Sequence, residues 1–270
     1  MKSDNDISRN FGSGAWEFTP EVVEVFDAHV NTHVPNYQLI QDLAVHLSDW
    51  FAPNAGRVAD VGSATGTTAM AISDRHPQRE LDFYLYDVEQ EMNRAAERKF
   101  ERAPSHHRLW TSTTDLVRRD PGHHEADLSL CLFTLQFLSP ADRHVVLSRL
   151  ADRAKPGTGA LIVAEKIELS QGLWQEIANE ATWDHKAGWG VEAEDIRLKA
   201  RSLRGVLRPV PLTQLEQEIE LAGWGSPVCV YRWFNWGVWV SRMNHVQPWE
   251  SYDEDQRLFE IFERNHGGTD

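Results

Sequence analysis

The sequence predicts an α/β protein built on a mostly parallel, seven-stranded sheet that ends in an antiparallel hairpin. From residue 57 to residue 164, short apolar runs alternate with amphipathic helical segments, a spacing typical of βαβ units. Two further apolar runs, 228–234 and 238–242, are joined by only three residues, so we expect them to pair antiparallel. Together these patterns place helices on both faces of one sheet.

The amino-terminal elements precede the sheet. Residues 1 to about 15 are polar and are expected to form a mobile arm. Pro20 introduces a helix over 21–30, and Pro35 interrupts the helical pattern because proline restricts the residue before it. A second helix follows over 39–51, where apolar residues recur at three- and four-residue steps.

The sheet region follows in a regular order. Strands are predicted at 57–61, 82–86, 108–110, 127–132 and 160–164, and helices at 67–75, 93–101 and 141–153.

A helical, tryptophan-rich insert is predicted at 169–207, followed by a helix at 212–222 and the hairpin. The chain has 11 tryptophans, and eight of them lie beyond residue 170. Trp233, Trp236 and Trp239 are expected to serve the core or a subunit interface. We interpret residues 1–245 as one domain and 246–270 as an acidic tail, part of which could form one more helix.

Composition limits the possible functions. The chain has 270 residues, of which 41% are hydrophobic and 25% charged, as in ordinary globular proteins. A net charge of −14 disfavours non-specific nucleic-acid binding, which depends on positive side chains. No apolar run approaches about 18 residues, so we expect no membrane association and a cytoplasmic location.

The cysteines and histidine pairs do not indicate a metal or disulfide site. Cys131 and Cys229 lie in apolar strands and are predicted to be small core residues. The pairs His106–His107 and His123–His124 stand in polar loops without carboxylates at metal-binding spacing. We therefore predict no metal ion.

The strongest local signal is a glycine loop between the first sheet strand and the next helix. Asp60 to Gly66 reads D-V-G-S-A-T-G, so that its glycines follow a G-x-x-x-G pattern. Glycine lets a ligand lie against the backbone, and this spacing suits S-adenosylmethionine better than a dinucleotide. Asp87 ends the next strand and can accept hydrogen bonds from ribose hydroxyls, whereas Asp115 follows the third strand. The alternative for the glycine loop is a plain turn between strand and helix. The alternative for Asp87 is a helix cap, and the alternative for Asp115 is an acidic loop residue without a ligand.

Seven short stretches of the sequence are typical of one family: Val34–Tyr37, Asp60–Gly66, Phe133–Leu138, Ala164–Lys166, Asp184–Lys186, Asp195–Lys199 and Phe234–Trp236. On these stretches the sequence resembles the class I S-adenosylmethionine-dependent methyltransferases over about residues 20–243, and in particular the carboxy-S-adenosylmethionine synthase group. The resemblance implies a Rossmann-like three-layer sandwich.

By this resemblance, S-adenosylmethionine is the expected cofactor. The residues expected to bind it are Tyr37, Gly62, Ser63, Ala64, Gly66, Asp87, Val88, Asp115, Leu116 and Leu132.

Two positions depart from the synthase pattern. That group binds the extra carboxylate of its product with an asparagine and an arginine, and this chain has Leu132 and Ala200 at those positions. Leucine offers no donor, and alanine removes a bidentate fork. Arg201 is one residue further on and rotated by about 100° on a helix. We therefore infer ordinary S-adenosylmethionine as the ligand and methyl transfer to a small-molecule acceptor, with an aromatic or heteroaromatic compound as one candidate class.

The acceptor is expected to meet the arm around Tyr37 and the insert. His185 is a candidate general base and Tyr37 a candidate catalytic residue, whereas Trp183, Lys186 and Arg201 are candidate substrate ligands. A partly buried surface histidine is the alternative for His185. Glu165 and Lys166 end the fifth strand and are expected to face the cofactor cleft or to form a structural ion pair.

Several functional readings stay open. The first alternative is a carboxy-S-adenosylmethionine synthase that acts with prephenate in tRNA wobble-uridine modification. The second is a non-catalytic binding protein with a cofactor fold, and the weakest is a nucleic-acid methyltransferase. The related synthases are dimers, so the resemblance also implies a homodimer.

Overall fold

The computed structural model describes residues 20–122 and 125–243 and contains one seven-stranded sheet of order β3-β2-β1-β4-β5-β7-β6. Neighbouring strands are parallel except that β7 runs antiparallel to β5 and β6. The strands are β1 Gly56–Val61, β2 Leu81–Tyr86, β3 Arg108–Ser112, β4 Leu128–Leu132, β5 Ala160–Lys166, β6 Val228–Trp233 and β7 Trp236–Arg242. The predicted fold class is confirmed.

Helices cover both faces of the sheet. They are α1 Pro20–His33, α2 Tyr37–Phe51, α3 Thr67–Arg75, α4 Gln90–Phe100, α5 Pro140–Asp152, α6 Gly172–Gly188, α7 Ala193–Ser202 and α8 Leu212–Leu221. Apolar residues of α2, α3 and α4 form one core with one side of the sheet, and those of α5 and α8 form a second core with the other. Strand alternation explains this, since Leu130 belongs to the first core and Cys131 to the second.

The sequence prediction of the helices before the sheet is correct in order. Helix α1 extends to His33, and α2 begins at Tyr37. Pro35 lies between them, and Asn36 adopts a left-handed conformation with φ of 57° before α2 begins. This corner brings Tyr37 to the carboxyl edge of the sheet, where the candidate site lies.

The hairpin differs from the prediction. Asn235, Trp236 and Gly237 were expected to form the joint, but β7 already begins at Trp236, which pairs with both Trp233 and Lys166. Only two residues connect the strands, and Phe234 takes a positive φ of 47° to reverse the chain. The shorter turn places Trp236 inside the sheet beside β5.

Cys229 corrects another expectation. Cys131 is buried as predicted, but Cys229 is exposed on β6. The reason is that β6 is an edge strand, and its neighbours Val228 and Val230 are exposed as well. Among the tryptophans, Trp224, Trp236 and Trp239 are buried, whereas others are largely exposed, including Trp50, Trp174 and Trp189.

Some expectations fall outside the described residues. The amino-terminal arm, the histidines at 123–124 and the tail at 246–270 belong to this group. Within the residues that are described, no helix is long and apolar enough to cross a membrane.

Gly66 provides a test of the packing between α3 and α4. Its φ is +70°, and an added Cβ would lie 2.9 Å from Cβ of Ala96. Gly66→Ala is expected to lower the free energy of unfolding by about 2–4 kcal/mol, because left-handed strain and overpacking add together. Gly205→Ala is the matched control, since Gly205 also has a positive φ but open space around it. Equal losses in chemical denaturation would contradict the packing role.

Candidate functional site

The glycine loop follows β1 and is hydrogen-bonded to the last residue of β2. The backbone N–H groups of Gly62 and Ser63 donate to the carbonyl of Tyr86 at 2.8 and 3.2 Å. Gly62 has φ of +67°, and an added Cβ would overlap Oγ1 of Thr134. Glycine is therefore required here both by conformation and by the close approach of the neighbouring loop.

Asp87 links the two strand ends. Its Oδ2 accepts from the N–H of Ala64 at 2.9 Å, and its Oδ1 accepts from the N–H of Glu89 at 2.9 Å. Glu89, not Asp87, is the cap residue of α4, so the helix-cap alternative does not describe Asp87. Burial raises the pKa of this carboxyl, whereas the two N–H groups oppose the shift. Each oxygen keeps a lone pair with which to accept a hydroxyl donor.

A cleft that is partly open to solvent lies at the carboxyl ends of β1 and β4. Five of the predicted ligand residues line it: Tyr37, Gly62, Ser63, Ala64 and Leu132. The sequence interpretation missed the other lining residues, which are Asp27, Gln41, Asp60, Thr65, Thr67, Thr68 and Phe133. A helical spacing of four residues puts Gln41 on the face of Tyr37 and could have revealed it.

The remaining predicted cofactor residues do not line this cleft. Gly66 packs against Ala96, and Val88 is exposed beyond β2. Asp115 accepts from the N–H of Val117 at 2.9 Å, and Leu116 is buried next to it. Their roles toward a cofactor stay predictions.

A polar network on α1 closes the amino-terminal side of the cleft. Nζ of Lys99 donates to Asp27 at 2.8 Å, to Thr65 at 2.9 Å and to Thr67 at 2.6 Å. Thr65 also donates to Asp27 at 2.6 Å. These bonds join α1 to the glycine loop and to α4. Nothing in the sequence around Asp27 indicated this contact, because its partners lie at least 38 residues away.

Two buried groups in the cleft have raised pKa values. Burial and the nearby charge of Asp87 raise the pKa of Asp60 to about 7. Burial also raises the pKa of Tyr37, and the charges of Asp27 and Asp60 add to that shift. Tyr37 is therefore a neutral phenol throughout the physiological range, which suits it to donating a hydrogen bond.

Glu165 organises the loop that follows β4. Its two carboxyl oxygens accept from the N–H groups of Leu135 at 2.8 Å and Gln136 at 2.9 Å, which start a short 3₁₀ turn. Burial raises the pKa of Glu165 to about 8, against the opposing effect of these donors. Glu165 pairs with backbone groups and not with Lys166, so the expected ion pair is not seen. Glu165 is also not among the residues that line the cleft.

Among the predicted substrate ligands of the insert, Lys186 is buried, whereas Trp183 and Arg201 are exposed. The buried face of α6 consists of Ala178, Thr182 and Lys186, spaced four residues apart. Trp183 is exposed on another face, and Arg201 on α7 is exposed as well.

His185 turns towards α1. Its ring is hydrogen-bonded to the backbone of Asn31, and Nε2 is buried with no partner among the described residues. Burial lowers its pKa, and the charge of Lys186 adds to that effect. His185 does not line the cleft, and its role as a base stays a prediction.

Two features of the cleft leave polar groups open to a ligand. Oγ of Ser63 is buried in its wall without a protein partner in the described chain, and Gly62 leaves the backbone open. Residues 59–160 match the family model described as "Methyltransferase domain". This part of the chain is therefore similar to methyltransferase domains. The fold is that of the S-adenosylmethionine-dependent methyltransferases.

Relatives extend this comparison. A carboxy-S-adenosyl-L-methionine synthase from Shewanella denitrificans is 27% identical over 227 residues, which cover 84% of this chain and 92% of the relative. The synthase of the same name from Staphylococcus epidermidis is 27% identical over 238 residues, covering 86% and 97% of the two chains.

Solved structures with this fold differ widely in sequence. An O-methyltransferase family protein from Burkholderia thailandensis superposes with a TM-score of 0.60 at 16% identity. The alignment covers 84% of this chain and 61% of the Burkholderia chain. The magnesium protoporphyrin IX methyltransferase from Synechocystis, with bound SAH, has a TM-score of 0.53 at 14% identity and covers 87% and 92%.

Replacing Glu165 tests the loop at the cleft. Glu165→Ala is expected to lower the free energy of unfolding by about 2–5 kcal/mol, because two buried N–H groups lose their acceptors. The control is Glu168→Ala, which removes an exposed carboxylate just beyond β5. Similar denaturation midpoints for both variants would show that Glu165 does not hold the turn.

Proposed function

We propose that this methyltransferase-fold protein transfers a methyl group from S-adenosylmethionine to a small-molecule acceptor. The observation that carries the proposal is the cleft at the carboxyl edge of β1 and β4, tied to Asp87 through Ala64. Ligands of open α/β sheets bind at this edge.

The acidic groups of the cleft are compatible with a cationic ligand. Asp27 and Asp60 belong to its wall, and no lysine or arginine does within the described chain. Lys99 already pairs with Asp27, so Asp60, whose pKa is about 7, is the acid whose charged form a sulfonium would favour. When bound, S-adenosylmethionine supplies a methyl group activated by a positive sulfonium. Acidic and aromatic groups stabilise such a cation, and Tyr37 and Phe133 present rings 5.9 Å apart at the cleft.

Each residue has a separate task in the proposed reaction. Asp87 holds the ribose hydroxyls, and the loop of Gly62 to Ala64 leaves room for the methionine portion. Tyr37 donates a hydrogen bond as a neutral phenol and orients the reacting groups. His185 is proposed as the base only if α6 moves, because its ring now faces α1.

A carboxy-S-adenosylmethionine synthase is the second candidate, favoured by the names of the relatives. Leu132 lines the cleft, and Arg201 is exposed, so neither supplies a carboxylate ligand there. We therefore place methyl transfer first.

Cofactor binding tests the assigned ribose contact. Asp87→Ala is expected to weaken S-adenosylmethionine binding by about 1–3 kcal/mol in calorimetry, because charge-assisted hydrogen bonds are lost. Asp82→Ala is the control, since Asp82 pairs with Arg108 at the opposite end of the same strand. Unchanged affinity in Asp87→Ala, with the fold intact, would remove the ribose from this position.

The identity of the retained cofactor separates the two candidates. Mass spectrometry of ligands released from the purified protein is expected to show S-adenosylmethionine or S-adenosylhomocysteine. Recovery of the carboxylated cofactor, or carboxylation activity with prephenate, would establish the synthase instead.

The final hairpin is our proposed homodimer surface. The edge strand β6 exposes the side chains of Val228 and Val230, and apolar edge strands favour pairing with another chain. Light scattering that gives the mass of a single chain would exclude this assembly.

A further inference from the structure

The carboxyl edge of the sheet carries two lysines that the proposed cofactor site does not use. Lys166 is the last residue of β5, and Lys186 lies on the buried face of α6 with a relative exposure of 8%. Neither ammonium is paired with a carboxylate in the part of the chain that the structure describes. Lysine is almost never buried unless it is paired, so the missing partner needs an explanation.

Trp236 contacts both elements that carry these lysines. Nζ of Lys166 lies 5.5 Å from the centre of the Trp236 ring. Nε1 of the same tryptophan lies 3.4 Å from Oγ1 of Thr182, which is one helical turn before Lys186 on the buried face of α6. The two ammonium groups are close enough for the charge of Lys166 to act on Lys186.

We call Lys166, Lys186 and Trp236 the lysine corner. It adjoins the cleft proposed to bind the cofactor. The ring of Phe133 lies 5.9 Å from that of Trp236 and 5.9 Å from that of Tyr37. Phe133 and Tyr37 both line the cleft. A molecule beside Phe133 could thus touch the lysines with one end and approach the sulfonium with the other.

Other unmet polar groups occur at the same corner. Asn235 immediately precedes Trp236, is fully buried, and has no hydrogen-bond partner for either side-chain amide atom among the described residues. Its backbone carbonyl accepts from Ile167, the residue after Lys166, at 2.8 Å. Unsatisfied buried groups that cluster in this way are typical of sites completed by a ligand.

We propose that Lys166 and Lys186 form a carboxylate-binding subsite for the molecule that receives the methyl group, and that this acceptor is an aromatic carboxylate. This proposal rests on the proposed methyl transfer and adds the substrate class. The two ammonium groups would neutralise the carboxylate, and Phe133 and Trp236 would contact the ring.

The pKa shifts of the two lysines agree with a site for an anion. Burial lowers the pKa of Lys166. Burial and the charge of Lys166 together lower the pKa of Lys186 to about 8. A carboxylate between them would offset both effects, since an opposite charge favours the charged form of lysine.

A carboxylate could reach the lysines from two sources. It could belong to the acceptor, as proposed, or to a carboxylated substituent on the cofactor sulfonium. Both sources would present the same carboxylate to the lysines. The experiment must therefore compare a carboxylate on an acceptor-like molecule with a carboxylate on the cofactor.

Calorimetry with benzoate as the probe tests the subsite. S-adenosylhomocysteine is first bound to the full chain, and its failure to bind would overturn the proposed function without testing the lysines. Benzoate is then titrated into the complex. If S-adenosylhomocysteine does not bind, benzoate is titrated into the free protein. We expect it to bind about tenfold more tightly than benzamide, a neutral molecule of the same shape.

Variants assign the effect to the lysines. Lys166→Met and Lys186→Met keep an apolar stem and are each expected to remove the preference for benzoate while leaving the affinity for S-adenosylhomocysteine unchanged. Arg204→Met is the matched control, because Arg204 is an exposed cation of the same insert and is not among the candidate ligands. Equal binding of benzoate and benzamide to the unaltered protein, or preference retained in both lysine variants, would overturn the proposal.

Two further measurements complete the test. Lys186→Met is expected to raise the apparent melting temperature, because an unpaired buried charge is removed; a marked fall would indicate a structural ion pair and contradict an anion site. Carboxy-S-adenosylmethionine is compared with S-adenosylmethionine in the same proteins. If only the carboxylated cofactor depends on the lysines, the acceptor assignment is wrong and the carboxylate belongs to the cofactor.

Discussion

The hydrogen bond from the N–H of Ala64 to Asp87 fixes the geometry on which the proposed site depends. It joins the loop after β1 to the end of β2, and the N–H groups of Gly62 and Ser63 reinforce the joint at Tyr86. The loop can follow this path only because Gly62 tolerates a positive φ and presents no Cβ to Thr134. As a result, a buried carboxylate is bonded directly to the stretch of backbone that lines the cleft.

Charge is distributed unevenly along the edge of the sheet. Asp60 and the ion pair of Asp27 with Lys99 lie at the cleft, whereas Lys166 lies over Trp236, whose ring is 5.9 Å from that of Phe133. Such a separation suits a reaction between a cationic methyl donor and an anionic acceptor. In the proposed reaction each partner would be held where its own charge is favoured, and the aromatic side chains between the two regions would line the path of the transferred group.

The relatives and the solved structures bear on different levels of this interpretation. Structural similarity at 14–16% identity supports the fold of the S-adenosylmethionine-dependent methyltransferases. The names of the relatives bring carboxylated-cofactor chemistry into consideration. Leu132 in the cleft wall argues against a carboxylate at that position, whereas the lysine pair supplies positive charge elsewhere. The chemistry of this chain therefore depends on which molecule occupies the lysine corner.

Much of the architecture was predictable from the sequence because it depends on local patterns. Alternating apolar runs and helical periodicity gave the order of strands and helices, and the glycine spacing with Asp87 located the cofactor edge. Five predicted ligand residues indeed line one cleft. The prediction of a core position for Cys229 was wrong because local pattern does not distinguish an edge strand from a central one.

Long-range packing decided the rest. The sequence around Asp27 contains no sign of Lys99, which lies 72 residues away and reaches it only after α1 docks against α4. Likewise, Glu165 and Lys166 are adjacent in sequence, yet one binds a backbone turn and the other lies over Trp236. Successive side chains of a strand point to opposite faces, so their surroundings depend on which elements cover each face. The sequence by itself determined the sheet, the glycine loop and the acid beside it, whereas only the tertiary structure packed the helix that carries Lys186 against Trp236, the ring under Lys166.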